Sequence, residues 1–271
     1  MGMVNTSNGN ALDVKIGCPY CKGSTTTHWK SLNFWRCSSC SLIFRYPLPD
    51  ENSVVDLYEK SWTSPSENRS ETGGTSLALA RTYVRKLADT LELKDFSGLR
   101  LLDFGAGRGD TMTALSELGA DMYGVEPFGY DNLKNQGFQV FRTLDEIPEN
   151  LTFDGIYTRD VIEHLRTPWV EIQKFKDLLV ENGFIYVATP NASSLSAKIY
   201  GEKWREAVRA GHLLLFTPSC LETVLGLSGY KKYERLKWFI QYSENPLRSI
   251  LQYTLKTFHI DGELHYLVRK S

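Results

Sequence analysis

Three sets of residues have the types and spacing to do chemistry. The first is a pair of cysteine knuckles, Cys18-Pro19-Tyr20-Cys21 and Cys37-Ser38-Ser39-Cys40, separated by 15 residues. Two CxxC pairs at this spacing close a tetrahedral four-thiolate site. Structural zinc is the first reading; iron in the same site and a redox pair are the alternatives. The second is Asp103-Phe104-Gly105-Ala106-Gly107-Arg108-Gly109-Asp110, which follows the apolar pair Leu101-Leu102. Gly105 and Gly107 permit a sharp strand-to-helix turn and let backbone N–H groups approach a nucleotide-like ligand. Glu126 follows 19 residues after Gly107, where a carboxylate can accept ribose hydroxyls. A dinucleotide fingerprint would place a small residue at position 110, where Asp110 stands. The third set is Asp160, Glu163 and His164, whose spacing puts them on one face if the segment is helical, with His212 able to close the group. His164 or His212 could act as general base, since imidazole titrates near neutrality. A packing histidine is the plainer alternative for each.

The elements that must position these residues follow from periodicity. Residues 1–12 read as a disordered polar start, 13–48 as a cysteine module, 49–74 as a linker or lid, and 75–271 as one α/β domain. The cysteine module is too small to build an adequate core, so a metal would supply much of its folding energy. In the α/β part, Leu77, Ala80, Val84, Leu87 and Leu91 fall on one helical face. Strands are expected at 100–104, 121–126, 138–141, 153–159, 184–188, 233–240 and 263–269, and helices at 110–118, 168–181 and 218–227. Strands alternating with helices predict a doubly wound, mostly parallel sheet. Residues 198–209 read as an amphipathic, net positive helix that could cover a pocket, and Tyr58, Trp62 and Trp204 could wall one. Cys220 reads as a small buried residue in a helix. The net charge of −1 gives no field toward nucleic acid or an anionic membrane. No apolar run reaches the roughly 18 residues of a membrane span. Without a secretory signal the cytoplasm is the expected address.

The ordered motifs carry a resemblance. Asp-x-Gly-x-Gly-x-Gly with an acid ending the second strand resembles the class I S-adenosylmethionine-dependent methyltransferases. So do Phe153-Asp154-Gly155-Ile156-Tyr157-Thr158-Arg159-Asp160-Val161-Ile162-Glu163-His164-Leu165, the stretch 183–191 and the stretch 211–218. The resemblance covers about residues 75–271 and implies a seven-stranded Rossmann-like sheet. It implies that Asp103, Gly105, Ala106 and Gly107 line S-adenosylmethionine, that Glu126 holds its ribose, that Pro127 sits by the adenine, and that Arg159 is a further contact. The zinc ribbon ahead of the domain is similar to a bacterial branch acting on surface polysaccharides or natural products. This implies a small-molecule acceptor, sugar-like or nucleotide-sugar-like, with His164 or His212 as base. In ubiquinone-pathway and small-RNA 2′-O-methyltransferases a similar acid-x-x-Glu-His binds a divalent metal. This implies a second metal site at Asp160, Glu163, His164 and His212, with Asp160 shorter than the Glu of that pattern. An RNA or protein methyltransferase guided by the ribbon, and a non-catalytic cofactor-binding scaffold, are the alternatives.

Overall fold

A computed structural model describes residues 16–50, 76–238 and 261–270, with scattered positions between them. The expected start at 1–12, most of the expected linker, Tyr58 and Trp62 lie outside the described residues. Along the chain run β1 (Thr25–Trp29), β2 (Phe34–Cys37), β3 (Ile43–Arg45), α1 (Leu77–Thr90), β4 (Arg100–Phe104), α2 (Asp110–Ser116), β5 (Asp121–Val125), α3 (Tyr130–Asn135), β6 (Gln139–Phe141) and β7 (Phe153–Arg159). Then come α4 (Pro168–Leu178), β8 (Leu179–Pro190), α5 (Leu195–Tyr200), α6 (Arg205–Val208), β9 (Leu214–Leu215), α7 (Pro218–Leu227), β10 (Lys232–Arg235) and β11 (Glu263–Arg269).

The large sheet has seven strands in the order β10-β11-β8-β7-β4-β5-β6. It is parallel from β6 through β8, and only β11 runs against the others. This is the expected mostly parallel, Rossmann-like architecture. The chain leaves β4 toward β5 and β6, then returns to β7 on the other side. The strand order therefore reverses between β4 and β7, where a crevice opens at the strand C-termini. Side chains alternate across the sheet as the pleat requires. Ile156, Ile185 and Val187 join one buried cluster with Phe175 of α4 and Leu221 of α7. Tyr157, Phe184 and Tyr186 join the other with Tyr83 and Leu87 of α1. Helices thus cover both faces, which is why these strands carry apolar residues at nearly every position.

The small sheet has the order β1-β2-β3-β9. Its last strand comes from the α/β domain, with Ile43 opposite Leu215 and Phe44 opposite Leu214. Cys18, Cys37, Cys40, Leu42 and Phe44 share the buried cluster of α4 and α7. Tyr20 packs against Trp169 at 4.9 Å between ring centroids, and its hydroxyl donates to Thr223 O.

Three local expectations differ from the structure. The helix expected over 168–181 stops at Leu178, because Leu179 pairs with Phe153 and opens β8. Residues 198–209 do not form one helix: Gly201 caps α5 with φ 52° and ψ −124°, and Trp204 is extended before α6. Burial of Trp204 between Trp29 and neighbouring side chains overrides the local periodicity; Trp204 is core rather than a pocket wall. The strand expected over 233–240 is observed as Lys232–Arg235, and residues 239 and 240 lie outside the described residues.

Candidate active site

At the end of β4 the backbone turns through Gly105 (φ 81°), Gly107 (φ 55°) and Gly109 (φ 87°) into α2. Each lies in the left-handed region that side chains resist. Two of these glycines do different work. A Cβ on Gly105 would lie 2.3 Å from Val161 Cγ2, so its bareness lets the loop lie against the segment that follows β7. A Cβ on Gly107 would meet nothing within 4 Å, so open space adjoins it. Glu126 closes the other side. Its Oε2 accepts from Gly107 N–H at 2.9 Å, and Oε1 accepts from Phe128 N–H at 2.9 Å and Gly129 N–H at 3.2 Å. Burial raises the Glu126 carboxyl, against the pull of those three N–H groups. Burial, and then the neighbouring Glu126, push Asp103 up to about 8. Open space beside Gly107, edged by a carboxylate with lone pairs left for hydroxyls, fits the ribose and amino-acid ends of S-adenosylmethionine. Asp103, Gly105, Ala106, Gly107, Glu126 and Pro127 are brought together here.

Val161 leads directly into a short 3-10 turn, Ile162–His164. There Glu163, His164 and His212 converge: their ligand atoms all lie within 4.8 Å of one another. Thr189 Oγ1 donates to Glu163 Oε2 at 2.8 Å. The facing Oε1 and both ring nitrogens of His212 are buried with no hydrogen-bond partner among the described residues. His164 Nδ1 lies 2.9 Å from Gly211 O; it donates there, which leaves Nε2 as a lone pair 3.9 Å from Glu163 Oε1. Burial lowers His164 to about 4. Burial, then His164 and Arg209, lower His212 to about 2. Burial, then Asp160, push the Glu163 carboxyl well above its usual range. Buried polar atoms that face one another unpaired are costly unless a shared proton or a cation lies between them. This donor set, two imidazoles and a carboxylate, fits a divalent transition ion.

Asp160 is not part of that group. It sits at φ 55°, and the turn after it is 3-10, so the expected shared helical face does not form. Its carboxylate instead reaches Arg159 at 3.1 Å. Arg159 does not point into the glycine loop either. Its guanidinium lies 3.0 Å from Glu263 Oε1 and 4.3 Å over the Tyr83 ring. Tyr83 donates to Glu263 Oε2 at 2.6 Å, and His265 Nε2 lies 3.2 Å from the same oxygen. Glu263 carries no local sequence signal, and the motifs that contain Thr189 and Val161 do not reveal what those two side chains touch. They matter through partners 26 to 180 residues away, which pattern reading along the chain does not reach.

In the cysteine module the Sγ atoms of Cys18 and Cys40 are 3.7 Å apart and those of Cys21 and Cys37 are 3.4 Å apart. A tetrahedron with metal–sulfur bonds of about 2.3 Å has sulfur–sulfur edges of roughly 3.8 Å. Backbone N–H groups of Ser39 and Cys40 point at Cys37 Sγ, as in a metal knuckle. The four thiols therefore fit a closed structural zinc site.

Comparison with known proteins adds three findings. The profile of a family described as a methyltransferase domain matches residues 77–234, more than half of the chain. The chain is 28% identical over 162 residues to the ubiquinone biosynthesis O-methyltransferase of Azorhizobium caulinodans, covering 54% of this chain and 64% of that protein. It is 27% identical over 192 residues to the mitochondrial ubiquinone biosynthesis O-methyltransferase of Bos taurus, covering 60% of this chain and 52% of that protein. The matches thus span less than two thirds of those relatives. Among solved structures, an S-adenosylmethionine-dependent methyltransferase from Archaeoglobus fulgidus shares the fold at a TM-score of 0.53 and 18% identity, over 80% of this chain and 99% of that one. The 1,6-didemethyltoxoflavin-N1-methyltransferase of Burkholderia thailandensis, solved with its acceptor and S-adenosylhomocysteine, aligns at a TM-score of 0.52 and 14% identity, over 86% and 97% of the two chains.

Proposed function

Because the chain belongs to the methyltransferase domain family, we propose that it transfers a methyl group from S-adenosylmethionine to a hydroxyl of a small molecule. The observation that carries this reading is the contact of Gly105 with Val161. It sets the cofactor loop against the turn that bears Glu163 and His164. S-adenosylmethionine supplies a methyl group on a sulfonium, so the protein has mainly to orient an acceptor and exclude water. Glu126 holds the ribose hydroxyls, Gly105 to Gly107 offer backbone to the amino-acid end, and Pro127 edges the adenine. Glu163, His164 and His212 face the acceptor.

Two roles are open to that trio, and its geometry favours one. The ligand atoms of Glu163, His164 and His212 lie within 4.8 Å of one another, and Glu163 Oε1 and both His212 ring nitrogens are buried with no hydrogen-bond partner among the described residues. We therefore assign Glu163, His164 and His212 to a divalent cation, which would lower the pKa of an acceptor hydroxyl. The Gly211 carbonyl holds the His164 tautomer, and Thr189 orients Glu163. The relatives named for ubiquinone biosynthesis support an oxygen acceptor. The acceptor itself is a sugar-like or phenolic hydroxyl, and the four-cysteine module is a structural zinc site.

The test is labelled S-adenosylmethionine with a panel of catechol and nucleoside-diphosphate sugars, with EDTA or with added Mg²⁺, Mn²⁺ or Zn²⁺. Transfer that requires the cation and is lost in Glu163→Ala supports the full reading. Transfer indifferent to EDTA and to Glu163→Ala removes the cation and leaves His164 as base. Failure to bind S-adenosylmethionine by calorimetry overturns the methyltransferase reading.

A further inference from the structure

Arg45 ends the strand that follows the second cysteine pair, and its side chain bridges the module to the segment 207–212 of the α/β domain. Nε donates to His212 O at 2.9 Å, and NH2 donates to Ala207 O at 2.8 Å and Arg209 O at 3.1 Å. NH1 donates to Leu32 O at 3.2 Å. The guanidinium lies 4.5 Å over the Phe34 ring, and the Arg45 backbone N–H donates to Leu213 O at 3.0 Å. From the other side, Leu213 N–H donates to Glu163 O at 2.9 Å, and His164 holds the Gly211 carbonyl. The segment 207–213, which carries His212, is thus gripped between Arg45 and the Glu163–His164 turn.

The segment joins the single turn of α6 to the two-residue β9. Within it Arg209 pairs with Glu206 Oε2 at 3.3 Å, His212 Nδ1 lies 3.9 Å from that oxygen, and the His212 ring packs on His164 at 4.6 Å between centroids; the Arg45 guanidinium is what ties its backbone carbonyls to the cysteine module. Its backbone carbonyls converge on one planar cation. Only a guanidinium offers donors in several fixed directions at once; a lysine ammonium at the same site would be a point charge.

We propose that Arg45 is the positioning residue for His212, so that the cysteine module sets the geometry of the transfer site. This rests on the proposed function only for the role given to His212; the positioning itself is independent of it. Arg45 acts through the backbone it holds.

The test uses the full chain, histidine-labelled for NMR, as wild type, Arg45→Lys and Arg45→Gln. In both variants the ring signals of His212 and His164 are expected to move while those of His265, in the large sheet, stay. Amide exchange across 207–215 is expected to quicken about tenfold or more, while that of the glycine loop and the affinity for S-adenosylhomocysteine stay unchanged. With catechol or a nucleoside-diphosphate sugar as acceptor, kcat falls by roughly 100-fold, the scale of a misplaced catalytic group, while KM for S-adenosylmethionine is unchanged. Unmoved His212 signals overturn the proposal. So do signals that move throughout, His265 included, with exchange quickened everywhere: Arg45 would then be a general stability residue. If His212 moves with Arg45 but no hydroxyl acceptor is methylated by the wild type, the positioning stands and the acceptor reading falls. If transfer occurs and Arg45→Lys leaves both kcat and the His212 signals intact, the positioning falls alone.

Discussion

Gly105 and Gly107 look alike in the sequence and have separable roles in the structure. An alanine at 105 meets Val161 at 2.3 Å and keeps a positive φ. Its expected cost is about 3 kcal/mol of folding stability, from overpacking and left-handed strain together, read by urea unfolding. An alanine at 107 has the same backbone strain but no neighbour, so about 1 kcal/mol is expected. Its methyl group occupies the space beside Glu126, so cofactor binding suffers more than stability. Glu126→Ala is expected to weaken S-adenosylmethionine binding by roughly 10- to 100-fold, the worth of hydrogen bonds to a charged group, measured by calorimetry. Asp103 sets a pH dependence. Its native pKa, about 8, lies above the unfolded value of about 3.9, so the native state binds the extra proton across that window. Its contribution to stability therefore declines as pH rises from about 4 to about 8. Asp103→Asn should flatten that slope in urea unfolding series; an unchanged slope assigns the effect to another group.

Elements show where sequence patterns suffice. β4, β7 and β11 run over the expected residues, and so does α7, with Thr217 accepting from Cys220 N–H at its start and Pro218 in its first turn. Apolar runs bounded by glycine, and helices with a cap and a proline, carry their own punctuation. The end of α4 and the break at Gly201 are not legible, because pairing of Leu179 with Phe153 and burial of Trp204 are decided by distant residues. The same limit applies at the site. The glycine loop and Glu126 are local motifs, whereas the exclusion of Asp160 follows from its pairing with Arg159. That arginine also ties β7 to β11 through Glu263. Burial tends to raise the Glu263 carboxyl, and His265, Arg159 and Tyr83 outweigh it and hold it well below the usual range. A carboxyl lowered in the native state contributes stability above its unfolded pKa and loses it as pH falls. Glu263→Gln is expected to cost about 3 kcal/mol at pH 7, by leaving Arg159 buried with one counter-charge fewer. Near pH 3 the gap between variant and wild type should narrow in thermal unfolding.

At the scale of the molecule, the cysteine module and the α/β domain share one buried cluster and one sheet. Among the described residues no helix is long and apolar enough to cross a membrane. With the proposed zinc held by Cys18, Cys21, Cys37 and Cys40, its removal should therefore not melt a detached ribbon. A single calorimetric transition should move down as a unit, by on the order of 10 °C if several kcal/mol of binding energy are lost. Two resolved transitions would show the units to be independent. The Arg45 contact to His212 spans 167 positions along the chain, and this bears on synthesis. While a ribosome is still making the first half of the α/β domain, β3 has no β9 to pair with and Arg45 has no carbonyls from 207–212 to hold. Closing so long a loop is slow and entropically costly. The small sheet can be completed only after the central strands of the large one exist, so a nascent chain has its glycine loop before its histidines are in place.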